Sequence, residues 1–150
     1  MLLIPSQINF SQDSIRNTFY KGDLIGETLD DLCTGRCLLS SFPKIYVADY
    51  NFEWFTMDNR RLWVFRHLYR LGKCGKIPVE VVSDIDPAKM TTTNGGSSIT
   101  VRGDPGGIWH LYPDGFGASR DGSYFCTWPE DYTSPELEKI LNLIRMMKSK

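Results

Sequence analysis

The segment Phe55-Thr-Met-Asp-Asn-Arg-Arg-Leu-Trp63 brings together the side chains best suited to chemistry. Its opening residues have strand character, and Asp58 and Asn59 are favoured helix N-caps. A strand should therefore carry two hydrogen-bonding side chains and two guanidiniums straight into a helix start. First-turn N–H groups have no intrahelical acceptor, the dipole end is positive, and Arg60 and Arg61 add planar donors that match phosphate. The expected chemistry is recognition of a phosphate group. Asp58 has three roles open to it: capping the helix, pairing with an arginine, or holding a divalent cation that in turn binds phosphates. The plain alternative is architectural, with Asp58 as cap, one arginine paired to it and the other solvated.

Positioning such a site falls to the elements around it. Ile4 to Phe10 reads as a strand, and Leu24, Ile25, Leu29 and Leu32 stripe a helix over residues 24 to 34 that closes at Gly35. Pro43 precedes a strand at Ile45-Tyr46-Val47, Phe52 to Met57 is another, and Asp49-Tyr50-Asn51 turns one into the other as a hairpin. A helix from Arg60 to Leu71 stops at Gly72, and Ile77 to Val82 is an apolar strand. Composition then shifts. Thr91 to Ser98 is a polar, glycine-containing loop that could cradle an anion but lacks the lysine and spacing of a P-loop, and Ile99 to Val101 is a short strand. Ile108 to Tyr112, Phe116 to Arg120 and Ser123 to Trp128, parted by turn signals at Pro113-Asp-Gly115 and Asp121-Gly122, predict a three-stranded meander. Ser134-Pro135-Glu136 opens a last helix striped by Leu137, Ile140, Leu141, Ile144 and Met147, either a core face or a surface for a protein partner. The expectation is one α+β domain, with a core over residues 1 to 82 and a meander plus C-terminal helix over 83 to 150.

Composition narrows the functions. With 150 residues, 41% hydrophobic and 23% charged, the chain is of globular type. Lys plus Arg number 17 against 18 for Asp plus Glu, so no overall cationic field draws it onto nucleic acid or anionic lipid, although a local basic patch is compatible with that total. Met1-Leu-Leu-Ile is too short for a signal segment, and no run approaches a membrane span; a cytoplasmic, intracellular protein is expected. Cys33, Cys37, Cys74 and Cys126 lack C-x-x-C spacing and read as buried thiols, with Cys33 and Cys37 close enough in sequence to warrant a redox test. Trp109, Tyr112, Tyr124, Phe125 and Trp128 read as core packing before they read as a stacking platform, and His67 and His110 have no recognisable triad partner.

The order of elements, with Asp-Asn-Arg-Arg at a helix start and Ile77-Pro-Val-Glu-Val81 after it, resembles the ParB/sulfiredoxin superfamily over about residues 4 to 82. ParB N-terminal domains carry Gly-Glu-Arg-Arg at that place. Ile8 to Ile15 together with Phe55 to Arg66 is similar to a group of small, nuclease-type ParB-like proteins. The resemblance implies that Arg60 and Arg61 contact nucleotide phosphates, that Asp58 and Asn59 stand at the Gly and Glu positions, and that the Ser11-Gln12 turn lies across the same pocket. Sulfiredoxins have their catalytic Cys where this chain has Asn59, so sulfinic-acid reduction is not expected. ParB partition proteins continue into a helix-turn-helix reader, which the loop and meander do not supply. Relatives that hydrolyse nucleoside triphosphates or transfer phosphoryl groups need an acid near the phosphate, usually with Mg2+; Asp58, Asp13 and Glu80 are the candidates, with Asp58 as the metal ligand. The expected function is thus NTP-phosphate binding, with Mg2+-dependent hydrolysis or transfer. The alternatives are a ParB-like nucleic-acid-binding protein or nuclease, and a non-enzymatic interaction module.

Overall fold

A computed structural model describes residues 1–118 of the chain. It is α+β: strands β1 (Leu2–Leu3), β2 (Ile8–Phe10), β3 (Ser14–Arg16), β4 (Ile45–Tyr50), β5 (Glu53–Thr56), β6 (Ile77–Val81) and β7 (Thr100–Arg102), with helices α1 (Ile25–Cys33) and α2 (Asn59–Arg70). Five strands form a mixed sheet in the order β1-β6-β4-β5-β2, and β3 pairs with β7 in a separate parallel ladder.

The expected hairpin is present as β4 and β5, antiparallel, with Asp49 opposite Trp54 and Tyr50 opposite Glu53, so the turn falls at residues 51 and 52 and not at 49 to 51. Its two loop residues, Asn51 and Phe52, both have positive φ, the geometry that matches a two-residue loop to the twist of its strands. The helices expected over 24 to 34 and 60 to 71 form within a residue or two of those bounds, and the strands at 77 to 82 and 99 to 101 form as Ile77–Val81 and Thr100–Arg102.

The N-terminal strand is different. Pro5 cannot donate to a ladder, and Pro5–Gln7 winds into a 3-10 turn braced by the Ile4 N–H donating to Gln7 Oε1 at 3.1 Å. The single strand expected from Ile4 to Phe10 is thereby split into β1 and β2, which sit at opposite edges of the sheet. The link from Leu3 to Ile8 reaches about 18 Å at most. The edges of a flat five-stranded sheet would lie about 19 Å apart. A turn in so short a link therefore forces the sheet to curl.

The core lies inside that curl. Ile8, Phe10, Ile45, Val47, Ile77 and Val79 from the sheet meet Leu29 and Leu32 of α1 and Leu62, Phe65 and Leu68 of α2. A smaller cluster on the other face has Ala48 and Phe55 covered by Ile85, with Met57 and Met90 alongside. Cys33 and Cys74 are buried and Cys37 is half-buried.

The first strand of the expected meander is not one. Trp109–Leu111 is a 3-10 turn, and Trp109 and Tyr112 plunge into the core with ring centroids 5.1 Å apart. The spacing that looked like a strand is i, i+3, the period at which a 3-10 turn stacks side chains on one side. Three groups pin the segment. Asp30 accepts from the N–H groups of Ile108 and Trp109 at about 3.0 Å. Gly26 donates to Pro105 O at 2.7 Å, an approach so close that a Cβ on Gly26 would stand 1.9 Å from Gly106 O. Arg70 of α2 donates to the carbonyls of His110 and Tyr112. Phe116 and Gly117 also lie in a turn; the rest of the meander, Cys126 and the C-terminal helix fall outside the described residues.

Candidate functional site

The start of α2 is set by Thr56, fully buried at the end of β5. Its hydroxyl donates to Tyr46 O at 2.6 Å and accepts the Asp58 N–H at 3.0 Å, turning strand into helix. Asp58 then occupies the cap position without capping: its side chain makes no hydrogen bond to the first turn of α2. Instead its Oδ2 accepts the Tyr46 N–H at 2.8 Å, while Oδ1 stands 3.8 Å from the Arg61 guanidinium. This corrects the capping expectation, because the amide of β4 lies within reach of the carboxylate. Pairing with an arginine, the second role open to Asp58, is present.

Asn59 is the first residue of α2 and is buried. Its Oδ1 accepts the Ser11 N–H at 2.9 Å, and its Nδ2 donates to Ser11 Oγ at 3.0 Å and to Met57 O at 3.3 Å. Ser11 and Asn59 are therefore brought together, with their polar atoms turned on each other. They draw the β2–β3 connection against the helix start.

Two adjoining clefts, of about 530 and 610 Å3, open beside this start and share Phe19, Tyr20, Met57, Asn59 and Arg60 as walls. The first is also lined by Gln12, Arg16, Thr18 and Arg102, and no carboxylate is among the described residues that line it. The second takes in Lys21, Asp23, Asp58 and Arg61. Arg60 stands between them, anchored by a 2.7 Å hydrogen bond from Nη1 to Thr18 O. Arg61 is aimed the other way, toward Lys44 O at 3.2 Å and Asp58. Of the two guanidiniums expected to converge, one faces both clefts and the other lines the second alone.

The remaining candidates lie elsewhere in their bonding. Asp13 clasps the polar loop, accepting the Thr93 N–H and the Thr93 hydroxyl at 2.7 Å each, and these bonds hold its carboxyl below the ordinary carboxylate range. Glu80 pairs on the surface with Lys44 at 2.6 Å, which lowers its pKa and raises that of Lys44. In the Thr91 to Ser98 loop, most of the amides that could have cradled an anion are engaged within the protein. Its Thr91 and Thr92 N–H groups donate to Ser11 O, that of Thr93 to Asp13, and that of Gly96 to Thr92 and Asn94 side chains. Gly96 also meets β2 so closely that a Cβ would stand 2.3 Å from Phe10 O.

Three wall residues carry no sequence signal: Arg16, Arg102 and Tyr20. Arg16 and Arg102 become neighbours only through the parallel pairing of β3 with β7, which places them directly opposite one another. Arg102 Nη1 donates to Ser14 Oγ at 2.7 Å. Tyr20 is 98% exposed on the rim shared by both clefts.

The residues do not fit a divalent ion at Asp58. One carboxylate oxygen holds an amide proton, and the other faces a guanidinium that would repel the metal. Among the described residues, no group of three or more His, Cys, Asp or Glu side chains comes together to hold a metal, and no helix is long and apolar enough to cross a membrane. Comparison of the chain with protein-family models, with characterised proteins and with solved structures finds no match.

Proposed function

We propose that this protein binds a nucleotide through its phosphates at the start of α2, in the cleft between Arg60 and the β3–β7 ladder. One observation carries the reading: three guanidiniums, from Arg16, Arg60 and Arg102, line a single cleft that has no carboxylate among its described walls and abuts a helix N-terminus whose Asp58 makes no capping bond. Such a place is positively polarised and open to water, and planar donors meet phosphate oxygens in pairs. The exposed ring of Tyr20 on the rim offers an apolar face on which a base can stack. The resemblance of residues 58 to 61 to a ParB-type box supports the same placement.

The reading is one of binding. Asp58 and Asp13, the acids put forward for catalysis, have their carboxylates engaged by Tyr46 and Arg61 and by Thr93, so no proton transfer or metal step is assigned to them. Calorimetry with the four common nucleoside triphosphates, with and without Mg2+, tests the reading. Arg60→Ala should weaken binding about 10- to 100-fold, the value of one charge-assisted contact. Tyr20→Ala should weaken a nucleotide but not inorganic tripolyphosphate. Failure of all four nucleotides to bind, or binding indifferent to Arg60→Ala, overturns it.

A further inference from the structure

Arg16 and Arg102 face each other across a parallel ladder, one from each strand at the same register. Neighbouring strands lie about 4.8 Å apart, so the two cationic side chains leave the backbone almost side by side. Like charges placed directly opposite in a sheet are destabilising unless something neutralises them. The ion pairs Arg36 with Asp31, Lys44 with Glu80, Arg61 with Asp58 and Arg70 with Asp114 leave Arg16, Arg60 and Arg102 out, and among the described residues none of these three arginines has a carboxylate within ion-pair distance. Among the described residues, the side-chain hydrogen bond that restrains the ladder pair is the neutral one from Arg102 to Ser14 Oγ. The pair opens onto the same cleft as Arg60, which is fixed to Thr18 O on α2's side.

Resting on the phosphate-binding reading above, we infer that Arg16 and Arg102 form a second anion subsite, facing Arg60 across the cleft, so that the ligand carries at least two linked phosphates. A single phosphate can be held at the α2 start by Arg60 and the free amides, leaving the ladder pair unneutralised. A nucleoside diphosphate or triphosphate places one phosphate at each end. Arg102 belongs to the part of the chain after Val82, beyond the span that resembles the ParB domain, so the site is composite: the later segment closes the cleft and brings a charge with it. Ligand binding then ties β7 to the core through β3.

Titration calorimetry with orthophosphate, pyrophosphate and tripolyphosphate separates this inference from the reading on which it rests. Pyrophosphate should bind about tenfold or more tightly than orthophosphate, the gain of one added charge-assisted contact. In Arg102→Gln that ratio should fall toward one. In Arg60→Ala both affinities should drop while the ratio persists. Arg16→Gln reads the same ratio and serves should Arg102→Gln fail to fold, circular dichroism being the check. If pyrophosphate is no tighter than orthophosphate while orthophosphate binding still depends on Arg60, the second subsite is wrong and the nucleotide reading stands. A pyrophosphate preference that survives both Gln variants also overturns the subsite. No binding of any of the three anions sinks both.

Discussion

Helix α2 carries four arginines, and its two ends use them in opposite ways. Toward the C-terminus, Arg70 gives Nε to His67 Nδ1 and its other nitrogens to the carbonyls of His110 and Tyr112. Arg66 donates to Ile8 O and Ser97 O and lies over the Phe10 ring, 4.4 Å from its centroid. Those guanidiniums sew loops to the core. At the N-terminus, Arg60 makes one hydrogen bond among the described residues and fronts two clefts, beside a first turn that Asp58 does not cap. The lesson is that residue type does not separate a staple from a guanidinium left facing a cleft; the supply of backbone carbonyls around the guanidinium does.

If that division is right, the ends respond differently to truncation. Arg70→Ala should have the largest effect, lowering unfolding free energy by about 3 kcal/mol, since two carbonyls and an imidazole nitrogen lose their donor at once. Denaturant unfolding measures it, and a loss near zero would erase the contrast. Arg66→Ala should cost about 2 kcal/mol by the same measurement, from two hydrogen bonds and the ring contact.

Acid should act on the C-terminal end next. Burial, then the charge of Arg70 and then His110, push the His67 pKa down to about 3 from 6.5. The donor from Arg70 occupies Nδ1, where a proton would otherwise go. A depressed histidine means that the unfolded chain binds the proton first. The stabilising contribution is therefore complete above about pH 6.5 and is lost as pH falls toward 3, at no more than about 1.4 kcal/mol per pH unit. Denaturation midpoints across that window should slope less steeply in His67→Gln than in the parent. The smallest stability change is expected at the other end. Arg60→Ala should cost about 1 kcal/mol or less, because one hydrogen bond is lost in a solvated cleft. A loss comparable to that of Arg70→Ala would make Arg60 a staple too and remove the contrast.

How far the sequence foretold these arrangements depends on the range of the interactions that set them. The hairpin, both helices and the strand after α2 were legible because their signals are local: β-branched runs, breakers at Gly35 and Gly72, and a strand leading straight into a helix start. Capping stood among the roles open to Asp58 because cap preference is local, whereas the Tyr46 amide that captures its carboxylate belongs to another strand. Asn59 and Ser11 were joined only by resemblance, and the structure does bring them together, with their polar atoms engaged on each other. Ile108 to Tyr112 was misread because a short apolar run with i, i+3 aromatics fits two periods, and Asp30, 78 residues earlier, decides between them. Arg16 and Arg102 were invisible, since parallel pairing between distant strands leaves no mark in either strand.

The curl imposed by the Pro5–Gln7 turn also governs how the molecule meets its own copies. A strand at the margin of a sheet is a template for intermolecular pairing unless it is short or obstructed. Here one margin, β1, is two residues long, and the other, β2, is occupied by the polar loop, with Gly96 O accepting the Phe10 N–H at 2.9 Å. Asp13 and Gly96, which add nothing to the cleft, thus act as guards against fibrous association, and trimming the loop they hold would leave a sticky seam.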